Sequence, residues 1–339
     1  MVYKIGWRTL TYLDKRRANW EGTGARPLRT DIWYPAVDSA EEADIFLGPP
    51  NAALFKAGRA AREAELFPAP FPLVLLSHGT GGAALQLGWL AGGLAAHGYL
   101  VAGVNHHGNN ALEPYRVQAF LQPWERALDL SVVLNLLLDD KMFGPLINRQ
   151  QIGAAGFSLG GYTVIALAGG VLDALQAVYQ DTKRDLLQDM PPEFSDPATL
   201  VAQLKALLEN DTNHKQSYQD RRIRCVFAIA PALGEAFTPA GLASIEIPVK
   251  IVVGEADSLA PATTNASRYA CMIKQAELTI LEGHVGHYTF LGEGTEVGKQ
   301  AMPDLCLDAP GIDRAAIHQQ VSSMAMEFFD NHLDVKQLQ

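Results

Sequence analysis

The stretch GAAGFSLGGYTVI sets Ser158 at the centre of a G-x-S-x-G pattern running from Gly156 to Gly160, with Gly161 directly after it. A serine hydroxyl is a weak nucleophile until a base takes its proton, so the pattern requires a histidine and a carboxylate elsewhere in the chain. It has chemical meaning only where a buried strand turns sharply into a helix. The apolar run QIGAAGF precedes Ser158 and the helical stretch LGGYTVIALAGG follows it. Such a turn is strained, needs small flanking residues, and projects the hydroxyl at the head of a sheet beside a helix N-terminus, where negative charge is stabilised. The plainer alternative is a Gly-rich turn with a helix-capping serine.

In this topology the acid and the base follow the nucleophile in that order. GEADSLAP, after the apolar run VKIVV, offers Glu255 and Asp257. Asp257 is preferred, because it stands a short turn past the strand and ahead of Pro261, whereas Glu255 is still at the strand end. LEGHVGHYTFL, after the run ELTIL, offers His284 and His287. His287 is preferred as the base, with Gly286 beside it expected to supply turn freedom. An oxyanion hole needs two backbone N–H groups. One is expected from Leu159, the residue after the nucleophile. The other is expected from the glycine-rich SHGTGG loop, with Thr80 as donor and His78 shaping that loop. NHHGNN places His106 and His107 at a strand end, where they either line the pocket with His78 and His284 or form a polar loop. Neither histidine pair has an accompanying carboxylate or cysteine cluster, and the serine chemistry needs no metal, so no metal or other cofactor is expected. Trp89, Trp124 and Tyr115 read as packing or pocket wall, and Cys225 as a core thiol.

The elements that must position these residues are legible as alternating runs. KIGWRTLTYLD and LRTDIWYPA read as two early strands joined by a polar turn. Residues 51–66, Ala-rich with scattered charge, read as a helix. PFPLVLLS, YLVAGVN, QIGAAGF, RCVFAIA, VKIVV and ELTIL read as strands, most of them apolar enough to be buried on both faces. Helices are expected over ALQLGWLAGGLAAHG, PWERALDLSVVLNLLLDD, LGGYTVIAL and the C-terminal DRAAIHQQVSSMAMEFFDNHL, the last capped by Asp313. Strand–helix alternation of this kind makes an α/β fold with a mainly parallel sheet covered by helices on both faces. Residues 171–222 break the alternation with polar, helix-rich sequence. They are expected to form a cap over a core made of residues 1–170 and 223–339, or else an ordinary surface insertion.

Composition narrows the function classes. With 48% apolar and 19% charged residues over 339 positions, the chain can bury a large core and is not disordered. A net charge of −10 without Lys/Arg runs disfavours nucleic acid or an anionic membrane as partner. Three scattered cysteines fit a reducing compartment better than a disulfide framework. The N-terminus lacks the apolar core of a signal peptide, and no apolar run approaches the roughly 18 residues of a membrane span. The chain therefore reads as soluble and cytoplasmic, unless a signal peptide has been removed ahead of Met1. Oligomeric state stays open.

The pieces LLSHGTGG, LAAHGYLVAGVNHHG, GAAGFSLGGYTVI, RRIRCVFAIAPALG and VGHYTFL together resemble the α/β-hydrolase serine hydrolases, close to the platelet-activating-factor acetylhydrolase and dienelactone-hydrolase-like group. The resemblance spans about residues 70–290, the scale of a shared domain. It implies the α/β-hydrolase fold, a triad of Ser158, Asp257 and His287, and oxyanion amides at Thr80 and Leu159. One departure is Phe157, where these families often carry His. The expected activity is hydrolysis of a small-molecule carboxylic ester through an acyl-enzyme. The same machinery serves an amidase, peptidase or acyltransferase, and a silent hydrolase-fold binding protein is the rival of a different class.

Overall fold

The computed structural model describes residues 2–173, 194, 196–210 and 213–334. Among them run eleven strands: β1 (Lys4–Ala18), β2 (Ala25–Ala36), β3 (Ala43–Leu47), β4 (Phe55–Arg62), β5 (Phe71–Ser77), β6 (Leu100–Asn105), β7 (Ile147–Phe157), β8 (Val226–Ile229), β9 (Val249–Gly254), β10 (Ala276–Leu281) and β11 (Glu293–Gly294). The main helices are α1 (Gly88–Ala96), α2 (Glu125–Leu138), α3 (Leu159–Leu167), α4 (Pro197–Asn210), α5 (Ala266–Met272) and α6 (Arg314–His332).

The strands form one sheet in the order β10-β9-β8-β7-β5-β6-β2-β1-β4-β11, with β3 against β4. The run from β10 to β6 is parallel throughout, whereas β2 joins β6, and β1 joins β2, in antiparallel register. Every residue of β5 and β6 is buried, which explains their unbroken apolar sequences: helices cover both faces. On one face α1 packs against α6; on the other α2 packs against α3. Asp313 caps α6 by accepting from the Ala316 amide at 3.1 Å. Among the described residues no helix is long and apolar enough to cross a membrane.

The topology itself marks a site. From β5 the chain steps to β6 on one side, and later enters β7 on the other. At such a switch point the connections leave in opposite directions and open a crevice beyond the carboxyl ends of the two strands. Those ends carry Ser77 and, just past Phe157, Ser158.

One expectation fails here. Residues 51–66 do not form a helix; they contain β4. The burial of FKAGRAAR places Phe55, Ala57 and Ala60 inside, and Lys56, Arg59 and Arg62 outside. Alanine's helix preference is worth only tenths of a kcal/mol per residue against most alternatives and yields to three pairing partners, β1, β3 and β11. Gly58, at φ +96°, interrupts any helix in the middle of the stretch. The expected cap falls partly on residues 174–193, which lie outside the described residues; α4 is its described helix.

Candidate active site

Ser158 sits between β7 and α3 with φ 55° and ψ −117°, a backbone conformation that side-chain-bearing residues rarely hold. The glycines of the pattern explain how the turn is built. A β-carbon on Gly156 would stand 2.1 Å from the Gly160 carbonyl oxygen, and one on Gly160 would stand 2.0 Å from the Ser77 carbonyl oxygen. One on Gly161 would meet Pro231 Cα at 2.8 Å. The strand-to-helix turn is thus pressed against β5 and the residues after β8, and only hydrogen fits at these positions. Ser158 itself is half-buried, next to the crevice.

The structure brings the three distant residues together. Ser158 Oγ lies 2.9 Å from His287 Nε2, and His287 Nδ1 lies 2.7 Å from Asp257 Oδ2. Asp257 is held by the amides of Leu259 and Ala260, which donate to its other oxygen at 3.0 and 2.7 Å. An acceptor so placed at Nδ1 fixes the imidazole tautomer with its proton on Nδ1, leaving Nε2 to accept from the serine. Glu255, the alternative acid, is exposed and accepts from the Gly283 amide at 2.7 Å. His284 is exposed and lines a cavity of about 250 Å³ with His287, Tyr288, Asp304 and Asp308.

His287 heads a 3-10 turn, His287–Phe290, clamped from outside. Trp89 Nε1 donates to the Phe290 carbonyl at 3.0 Å and stacks on His318 at 4.2 Å between ring centres. Thr289 Oγ1 donates to Asp308, which Arg314 grips through Nε and Nη2 at 2.8 and 3.2 Å. The Phe157 ring lies 4.9 Å from the His287 ring, centre to centre. Gly286 does not supply turn freedom: at φ −96° and ψ 177° it is ordinary extended backbone. The left-handed position is Gly283, at φ +85°.

The loop after β5 meets the turn at Ser158, since a β-carbon on Gly79 would stand 3.3 Å from Ser158 Cβ. Among the described residues no backbone hydrogen bond from the Thr80 or Leu159 amide is seen outside the helices and strands. Tyr115 donates to the Gly81 carbonyl at 2.9 Å, and Asn109 accepts from the Gly81 amide at 2.8 Å.

His78 and His106 are placed differently from pocket-lining groups. Both are sealed beneath the loop in a polar network absent from the sequence reading. Ser77 Oγ is 2.9 Å from His106 Nε2, and His106 Nδ1 is 3.0 Å from Asp129 Oδ2. This chain repeats the residue types of a catalytic triad without the access: Ser77 and Asp129 are wholly buried, and Asp129 is also gripped by Arg26 and Arg17. Burial alone would raise Asp129; the two guanidiniums and the His106 bond overcome it and hold the carboxyl well below its usual range. Burial, with Arg126 close by, lowers His106 to about 3 and His78 well below the usual imidazole value, so both rings are neutral. His107 is buried too, 3.0 Å from Glu113. Arg126 and Asp129 lie on the buried stripe of α2 with Leu130, Val133 and Leu137. Two charged residues at core-facing positions of an amphipathic helix were the signal that could have revealed the network.

Comparison with known proteins agrees with this architecture. A solved ferulic acid esterase from Streptomyces cinnamoneus superposes with a TM-score of 0.67 over 98% of this chain and 91% of its own, at 20% identity. The fold is that of the α/β-hydrolases. The model of the family described as platelet-activating factor acetylhydrolase, isoform II, matches residues 59–126, from β4 to the start of α2. That stretch contains the Thr80 loop and the NHHGNN segment. No curated protein shows a significant match. Because 1048 solved chains match this one, the fold alone selects no chemistry, and function has to be argued from the site.

Proposed function

We propose that this chain is a serine hydrolase of carboxylic esters. The observation that carries the reading is the continuous hydrogen-bonded line Ser158–His287–Asp257 at the switch point of the sheet, with the serine half-exposed. An acetylhydrolase family and an esterase are also the named likenesses.

In the first half-reaction Ser158 Oγ attacks the acyl carbon while His287 Nε2 takes its proton. The carbonyl π electrons move to oxygen, and the resulting anion is met by the Thr80 and Leu159 amides. Asp257 stabilises the imidazolium without itself becoming protonated. Collapse of the tetrahedral intermediate breaks the bond to the alcohol, which leaves with the proton from His287. In the second half-reaction His287 takes a proton from water, hydroxide adds to the acyl-serine, and collapse returns the proton to Ser158 and releases the acid. No step calls for a cofactor.

Residues 171–222 act in this reading as a cap. Phe194 meets Phe120 edge-on at 5.2 Å, Phe120 meets Tyr115 at 5.4 Å, and Tyr115 holds the Gly81 carbonyl. The insertion thus reaches the Thr80 loop through a line of aromatic rings.

The test is a panel of p-nitrophenyl esters of varied acyl length, run with wild type and Ser158→Ala, beside fluorophosphonate labelling. Ser158-dependent turnover and labelling at Ser158 are expected. Turnover surviving in Ser158→Ala overturns the mechanism, and a wild type that neither turns over nor labels overturns the enzyme reading. Matched anilides report whether amides compete.

A further inference from the structure

Two successive carbonyls of the loop after β5 are tied inward. The His78 carbonyl accepts from Arg126 Nη2. The Gly79 carbonyl lies 2.6 Å from His78 Nδ1 and accepts from the Gly82 amide at 3.3 Å. The His78 tautomer follows from its other nitrogen: Nε2 accepts from the His106 amide at 3.2 Å, so the single ring proton is on Nδ1 and is donated to Gly79. Peptides here are trans, and in a planar trans peptide the N–H points opposite to the carbonyl of the same unit. Holding the Gly79 carbonyl inward therefore holds the Thr80 N–H outward.

Arg126 is the hub of this arrangement. It is 1% exposed and its hydrogen-bond acceptors are neutral, while Asp129, the carboxylate whose charge reaches it, is itself bound by Arg17 and Arg26. Nη1 reaches Asn109 Oδ1 at 3.4 Å, and the same oxygen accepts the Gly81 amide at 2.8 Å. The loop is thus gripped at residues 78 and 81, on both sides of Thr80. On the opposite side Nε donates to Thr163 Oγ1 at 3.2 Å, and Thr163 donates to the Leu159 carbonyl at 2.7 Å. One side chain therefore bridges the loop bearing Thr80 and the first turn of α3 bearing Leu159. Burying a guanidinium among neutral acceptors is costly, and stability alone gives little reason to keep one. Positive charge set just behind two amides that meet an oxyanion does give a reason.

We propose that Arg126 is a positioning residue that locks the two halves of the oxyanion hole into one rigid unit and adds positive potential behind it. The proposal rests on reading Ser158 as the acylated nucleophile. Its test uses a matched p-nitrophenyl ester and thionoester, since a thiocarbonyl sulfur is a poor acceptor and draws little benefit from an oxyanion hole. Arg126→Met is expected to lower kcat on the ester by about 100-fold, the order of losing one oxyanion donor. KM and the thionoester rate should change little, so the ester-to-thionoester rate ratio collapses. Arg126→Lys, which keeps charge but not the planar fork, should recover part of the ratio. The low-field proton resonance of the His287–Asp257 hydrogen bond should persist in both variants. If Arg126→Met does not fold, Asn109→Ala loosens the same grip and should lower the ratio in the same sense. Equal losses on both substrates, or no loss on either, overturn the proposal. A wild type without Ser158-dependent turnover instead overturns the reading beneath it.

Discussion

At the scale of residues, two pairs of like side chains are separated by their surroundings. His287 is buried between Asp257 and Ser158, whereas His284, three positions earlier, is exposed and touches neither. His287→Ala should therefore cost about 10⁴- to 10⁶-fold in kcat, the range found when a triad member is removed, while His284→Ala retains most activity. Ester assays of the two purified variants check this, and the reverse outcome would move the base to His284. Asp257 and Glu255 divide in the same way. Asp257→Asn keeps the shape but presents an NH₂ or a neutral oxygen to His287 Nδ1, so the favoured tautomer is lost. A fall of about 10⁴-fold in kcat is expected, with a far smaller change for Glu255→Gln.

At the scale of elements, the glycines of the turn between β7 and α3 act through space rather than through flexibility. Gly160→Ala would drive a β-carbon into the Ser77 carbonyl oxygen at the end of β5, where neither backbone can yield. The expected cost is about 3 kcal/mol or more in stability, together with loss of activity although Ser158 is intact. Denaturant midpoints and ester rates measure both, and near-wild-type values would show that the turn is loose. The turn was legible in the sequence because its requirements are local: an apolar run, small residues and a helix. The buried parallel strands were legible for the same reason. β4 was not, because its alternation is carried by alanines and its strand state is set by partners far away in sequence, β1 and β11. Arg126 and Asp129 were missed because a charged residue in a helix reads as solvated unless its position on the apolar stripe is noticed. The clamp of Thr289, Asp308 and Arg314 depends on a bend of the chain after His287 that no local pattern announces.

At the scale of the whole molecule, the buried imidazoles tie stability to pH. His106 is held neutral, with its value lowered from 6.5 to about 3, and burial lowers His318 to about 4. Below pH 6.5 the unfolded chain takes up protons that these rings refuse, so stability falls as pH drops, down to the folded-state values. At pH 5 His106 alone costs about 2 kcal/mol, at 1.4 kcal/mol per unit. Asp129 acts in the same direction lower down: its depressed value favours folding above the usual carboxylate range, and that contribution is lost as pH falls below about 4. Unfolding midpoints at pH 7.5, 6 and 5 should decline steadily, and His106→Gln should flatten the slope. A midpoint constant over this range would mean that these histidines titrate normally. In the proposed mechanism the sheet's switch point, the strained turn and the clamped His287 all serve one covalent event, transfer of an acyl group to Ser158. Rapid quenching during turnover of a slowly deacylated ester, followed by mass analysis of the Ser158 peptide, observes that event directly. The account predicts a peptide heavier by the acyl group in wild type and unmodified in Ser158→Ala; turnover with Ser158 never acylated would contradict it.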